Sequence, residues 1–212
     1  MWGNPNTYPR DPLPYVEILE RVQGMTTPAT MLMLNRAVSC LDVGECYLEV
    51  GTWRGATLIG ALLGNAAHGY AIDNDTMDEH DGDGRSSADV WCENVEMAGA
   101  TDRAHYIDGS VPAVWEGLSA PPVGVYLFDG DKSTKEAAYA GLAGVVPFLA
   151  PRALLFADDA NEANVRQAVY QLQVKYFPHV RIILDIPTPG NCWASFWNGL
   201  IIMQWDAGAT LP

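Results

Sequence analysis

From Cys46 onward, short apolar runs of strand length alternate with longer stretches in which apolar residues recur every three or four positions. That alternation predicts a parallel β-sheet with helices on both faces, a Rossmann-like, doubly wound α/β fold. Strands are expected near residues 46–50, 68–73, 103–108, 123–129, 152–158, 179–186 and 196–205. Helices are expected at 55–64, 86–98, 133–146 and 161–176, with a short helical turn after Ser110. Ser133-Thr134-Lys135-Glu136 reads as a capping box that starts the third of these helices, the Ser133 hydroxyl and Glu136 satisfying free amide donors. Residues 187–194 carry no helical pattern, so the last two of the seven strands form an antiparallel pair in an otherwise parallel sheet. Residues 14–45 hold two helical patterns broken at Gly24 to Thr27. The expected organisation is an N-terminal helical cap, 1–45, and a main domain, 46–212.

At 212 residues and 49% hydrophobic, the chain is long enough for one compact core and too short for two full domains with linkers. A net charge of −14 disfavours nucleic acid and anionic membranes as partners and favours a small molecule. The four cysteines, Cys40, Cys46, Cys92 and Cys192, form no C-x-x-C and read as free thiols of a reducing cytoplasm. The start of the chain, Met1-Trp2-Gly3-Asn4-Pro5, has neither a basic stretch nor an apolar run, so neither export nor membrane insertion is expected.

Candidate chemistry begins at Cys46-Tyr47-Leu48-Glu49-Val50-Gly51-Thr52-Trp53-Arg54-Gly55, a strand entering a glycine turn, and at Gly69-Tyr70-Ala71-Ile72-Asp73, a strand ending in a carboxylate. Gly51 would let the chain turn sharply and approach a ligand, and Gly55 would let the following helix pack on the sheet. Asp73 can accept ribose hydroxyls. Bulky Trp53 and Arg54 inside the turn break the dinucleotide fingerprint, and Glu49 would repel a phosphate while binding an ammonium. An adenosine-type ligand with an ammonium, S-adenosylmethionine, satisfies these constraints. Two further strand ends carry Asp129-Gly130-Asp131-Lys132 and Asp158-Asp159. If these strands are neighbours, about 4.8 Å apart, Asp129, Asp158 and Asp159 converge and call for a cation, magnesium first. Lys132 beside them would either balance charge or, with a depressed pKa, take a proton.

The run Glu49-x-Gly51-x-x-x-Gly55-x-Thr57, the Asp73 strand end and the two later acidic strand ends resemble class I S-adenosylmethionine-dependent methyltransferases. Within that class they are similar to metal-dependent O-methyltransferases of the catechol and caffeoyl-coenzyme A type and of the sugar and antibiotic type. The resemblance implies that Glu49, Gly51 and Thr57 hold the methionine part, that Trp53 and Gly55 lie by the cofactor, and that Asp73 holds the ribose. It further implies adenine contacts from Asp108-Gly109-Ser110, metal ligation by Asp129, Asp158 and Asp159, and catalysis by Lys132 with Asp129. Asp159 stands where the catechol enzymes have Asn, which weakens a catechol acceptor.

The implied reaction is methyl transfer to a hydroxyl of a small molecule with help from a divalent ion. Plainer roles stand beside these: the glycines as a bare strand-to-helix turn, Asp158 and Asp159 as a helix cap, Lys132 as a surface lysine. A metal-free methyltransferase, a non-catalytic adenosyl-binding module and a carboxylate-metal hydrolase remain alternatives. The acidic run 73–83 lacks the glycine and glutamate of a calcium loop and reads as a solvated loop that includes His80. His105 reads as an ordinary strand histidine, and Trp197 and Trp205 as core. Trp193 is a candidate for the acceptor pocket, while Trp115, Trp2, Tyr8 and Tyr15 stand open between the acceptor and a partner subunit of a homo-oligomer.

Overall fold

The computed structural model describes residues 13–74, 84–189 and 195–210. Their strands are β1 (Cys46–Val50), β2 (His68–Asp73), β3 (Ala104–Asp108), β4 (Val123–Phe128), β5 (Leu149–Asp158), β6 (Val180–Ile186) and β7 (Leu200–Asp206). The helices are α1 (Leu13–Leu19), α2 (Pro28–Val38), α3 (Ala56–Leu62), α4 (Ser87–Met97), α5 (Lys135–Gly144) and α6 (Ala163–Lys175). The seven-stranded sheet has the order β3-β2-β1-β4-β5-β7-β6. Only β7 runs against its neighbours: it pairs antiparallel with both β5 and β6. The expected doubly wound sheet is therefore the observed one.

Strand alternation fills two cores. Tyr126 and Phe128 face the side packed by Leu142 of α5 and Val169 and Leu172 of α6. Val125 and Leu127 face the opposite side, packed by Leu34 of α2, Leu58 and Leu62 of α3 and Trp91 of α4. Both faces of the central strands are thus closed, and β4 is buried at every position. With the sides sealed, the strand tips are what remain open for a ligand.

Element boundaries shift from the expected ones. β5 begins at Leu149, ahead of 152, and β7 begins at Leu200 because Trp197 and Gly199 adopt left-handed backbone in the preceding turn. The capping box is not formed. Thr134, not Ser133, caps α5: its hydroxyl accepts the Ala137 N–H at 3.0 Å. The Ser133 N–H is taken instead by Asp131 Oδ1 at 2.9 Å, so the helix starts one residue later and Glu136 falls out of the reciprocal position.

Candidate active site

The tips of β2, β1, β4 and β5, together with the turn before β7, border one cavity of about 510 Å³. Asp73 at the tip of β2 and Trp197 in the turn before β7 both line it. Between them lie Gly51, Trp53, Thr57, Asp129, Lys132, Asp158 and Asp159, with Gly109 and Ser110 beyond β3.

At the Asp73 end the chain turns at Gly51 (φ 88°) and again at Gly55 (φ 87°). The sharp turn expected at Gly51 is present, and Gly55 makes room for helix packing as expected, although against α4 and not the sheet. A Cβ on Gly51 would sit 2.2 Å from the Asp129 carbonyl oxygen, so the glycine admits the neighbouring strand tip while also lining the cavity. A Cβ on Gly55 would lie 2.9 Å from the Trp91 ring, so this glycine admits α4 against the start of α3. Trp53 between them holds φ 46°. Its N–H donates to Asp73 Oδ2 at 2.6 Å, while Oδ1 accepts the Asn74 N–H at 2.8 Å. Each Asp73 oxygen retains a lone pair for a further donor.

Glu49 lies beneath this turn, fully buried, and does not line the cavity. Tyr47 donates to its Oε2 at 2.5 Å. Burial pushes the carboxyl up to about 7 against the lowering pull of Thr52, Tyr47 and Thr57. The threonine hydroxyls sit close by, yet Oε1 has no partner at hydrogen-bonding distance and angle. Oε1 is thus an orphaned buried acceptor near Thr52 and Thr57, which themselves line the cavity.

In the middle of the cavity the Lys132 ammonium donates to Asp129 Oδ1 and to Asp159 Oδ2, each at 2.5 Å. Asp159 reaches it from a left-handed backbone (φ 52°), a conformation that Asp tolerates better than most residues. Asp158, 6% exposed, spends Oδ1 on the Asp159 N–H at 2.9 Å. Burial, then the charges of Asp129 and Asp159, hold the Asp158 carboxyl well above the usual range. For Lys132, burial pulls the ammonium down, but Asp129 and Asp159 outweigh it and the net shift is upward. Of the two roles the sequence left open for Lys132, this upward shift goes with charge balance and against a depressed lysine that takes a proton. The three carboxylates are brought together as expected, but not as a ligand shell: among the described residues no three His, Cys, Asp or Glu side chains are disposed to hold a metal ion.

A family model described as "Methyltransferase domain" matches residues 48–160, more than half of the chain, which spans β1 through the Asp158-Asp159 tip of β5. The chain belongs to this methyltransferase domain family. The class I resemblance drawn from its motifs is borne out. The fold of this methyltransferase is similar to that of cofactor-bound Rv0187 from MTB: TM-score 0.67, 18% identity, covering 91% of this chain and 89% of that one. It is similar to the O-methyltransferase from Bacillus cereus in complex with SAH: TM-score 0.65, 16% identity, covering 94% and 93%. It also resembles the O-methyltransferase TomG from Streptomyces achromogenes in complex with SAM: TM-score 0.62, 14% identity, covering 84% and 78%. No curated protein sequence matches the chain.

Two further parts of the cavity were not named residue by residue from the sequence, although the N-terminal segment was expected to cap it. Gln23, Gly24, Met25 and Thr26, in the turn between α1 and α2, line it, held by Arg54 Nη1 donating to Gln23 Oε1 at 2.7 Å and by Thr27 Oγ1 donating to the Ser195 carbonyl at 2.5 Å. Trp197, expected in the core, lines the far end, fixed by Ala160 and Asn161 N–H groups donating to the Gly199 and Asn198 carbonyls. The break at Gly24 to Thr27 was the signal for the first; nothing in the sequence separated Trp197 from core tryptophans. Asp108 is exposed on β3 and does not line the cavity, unlike Gly109 and Ser110. Trp115 packs on Tyr126 and Phe148 away from the cavity, and Tyr15 is buried. His105 hydrogen-bonds His68 at 2.9 Å. Cys40, Cys46 and Cys92 are free thiols. Trp2, Tyr8, the 75–83 part of the acidic loop, Cys192 and Trp193 lie outside the described residues. No helix among those residues is long and apolar enough to cross a membrane.

Proposed function

We propose that the chain transfers a methyl group from S-adenosylmethionine to a hydroxyl oxygen of a small molecule. The observation that carries this reading is the single cavity that joins the Asp73–Trp53 tip to the Lys132 cluster, so that donor and acceptor share one shelf. The neighbours in complex with SAH and SAM support the donor, and their being O-methyltransferases supports an oxygen acceptor.

In this reading Asp73 accepts the ribose hydroxyls, Gly109 and Ser110 border the adenine, and Thr52 and Thr57, backed by buried Glu49, hold the methionine end. S-adenosylmethionine supplies a sulfonium methyl whose C–S bond breaks as the acceptor oxygen forms the new C–O bond, leaving a neutral sulfide. Lys132, fixed as an ammonium, stabilises the negative charge that develops on the acceptor oxygen, and a carboxylate of the cluster takes the hydroxyl proton. Holding both partners on one rigid rim supplies most of the rate through orientation. The turn between α1 and α2 covers the cavity, in keeping with a cap formed by the N-terminal segment.

A divalent ion at Asp129, Asp158 and Asp159 would compete with Lys132, whose ammonium already occupies Asp129 Oδ1 and Asp159 Oδ2, while the second oxygen of each carboxylate stays open to a further partner. No step is assigned to one. The reading is tested by incubating the protein with radiolabelled S-adenosylmethionine and a panel of phenols, catechols and deoxysugars. Transfer of label to at least one hydroxylated acceptor, lost in Asp73→Ala, is the expected result. Label transferred only to amines would replace the oxygen acceptor with nitrogen.

A further inference from the structure

Three carboxylates at adjacent strand tips require a positive charge, and the structure supplies it from within the chain. We infer that the Lys132 ammonium is the resident cation of the Asp129, Asp158 and Asp159 cluster, in the place the sequence assigned to a divalent ion, so that the native chain takes up no such ion there. The inference concerns the same cavity as the proposed methyl transfer but stands on its geometry alone.

Several independent features build this arrangement. The ammonium bridges two strands, with one hydrogen bond to the tip of β4 at Asp129 and one to the tip of β5 at Asp159. The loop carrying Lys132 is pinned from α6: Asn164 Nδ2 donates to the Lys132 and Ser133 carbonyl oxygens, both at 3.1 Å. The left-handed backbone of Asp159 swings its carboxylate back toward the lysine. The Lys132 side chain is 18% exposed, so its charge is little screened and its two bonds are charge-assisted. A divalent ion that took Asp129 Oδ1 and Asp159 Oδ2 would have to break both bonds, and one held by the remaining carboxylate oxygens would sit against the ammonium in a partly buried site. Repulsion between the two cations opposes either placement.

Removing the lysine should therefore create the metal site. The test is titration of Mn²⁺ into the full-length protein, with the free ion read by electron paramagnetic resonance. Wild type should leave the Mn²⁺ signal free at millimolar concentration, Lys132→Met should take up one ion per chain, and Lys132→Met with Asp159→Ala should release it. Thermal melts supply a second readout: Lys132→Met should melt below wild type at pH 8 without metal, and adding Asp129→Asn should recover part of the loss. Wild type that binds one Mn²⁺ per chain, with binding abolished by Asp129→Ala or Asp159→Ala, overturns the inference. So does a Lys132→Met variant that melts like wild type and takes up no ion. Titration of S-adenosylhomocysteine into the same proteins separates this result from the methyl-transfer reading: absent binding would end that reading and leave the ion result standing.

Discussion

The Asp73 carboxylate and the Trp53 backbone N–H are joined by a 2.6 Å hydrogen bond, which ties the tip of β2 to the glycine turn that follows β1. One side chain thereby fixes the turn's left-handed residue and presents its remaining lone pairs to the cavity. Asp73→Ala removes both the tie and the acceptor. Its affinity for S-adenosylhomocysteine should fall about 10- to 100-fold, the loss of roughly 1.5–3 kcal/mol expected for a hydrogen bond to a charged group. Calorimetry on the two proteins checks this, and equal affinities would remove Asp73 from the ligand site.

Lys132 is held as an ammonium by Asp129 and Asp159, so its role is to supply fixed positive charge. Lys132→Ala should lower turnover roughly 10²- to 10³-fold, the usual effect of deleting one preorganised electrostatic group. Affinity for S-adenosylhomocysteine should change by only a few-fold. If turnover persists near the wild-type level, the acceptor oxygen does not depend on this charge.

Buried Glu49 links the site to stability. Its carboxyl ionises near pH 7 in the fold against 4.5 as the ordinary value, so the unfolded chain releases this proton first as pH rises. The stability that the neutral form contributes is full below about pH 4.5 and is lost as pH climbs through about 7. Glu49→Gln, which cannot ionise, should be more stable than wild type at pH 8, by up to about 3 kcal/mol, with the gain shrinking toward pH 4.5. Denaturant unfolding at pH 5 and pH 8 measures it, and a difference that does not grow with pH would mean the carboxyl stays ordinary.

The start of α5 offers a local comparison. Thr134 caps the helix and Ser133 does not. Thr134→Ala should cost about 1 kcal/mol and Ser133→Ala close to nothing. Equal costs in chemical denaturation would restore the capping box that the sequence suggested.

How far the sequence reached follows from what each residue depends on. The strands were legible because burial on both faces of β1 and β4 imposes long apolar runs, and the β6–β7 pairing because the short link before β7 excludes a crossover; the order of the other strands was not read. Glu49, Asp73, Asp129, Asp158 and Asp159 were legible as strand ends, since a parallel sheet gathers its carboxyl-terminal tips on one side. What Gly51 and Gly55 avoid was not legible, because the obstacles, the Asp129 carbonyl and the Trp91 ring, lie tens of residues away in sequence. Which of its two open roles Lys132 takes was not legible for a similar reason: it depends on the ammonium reaching both Asp129 and Asp159, and Asp159 lies 27 residues away in sequence. Trp197 was assigned to the core because its apolar neighbours mark a strand, and only the left-handed turn before Leu200 points it to the cavity.

The central claim is that the rim of strand tips from Asp73 to Lys132 is a binding site for the methyl donor. Titration calorimetry of S-adenosylhomocysteine into the wild-type protein, without added metal, tests it most directly. One molecule bound per chain with micromolar or tighter affinity is the predicted result. No saturable heat at millimolar ligand, from protein shown by circular dichroism to be folded, would contradict it.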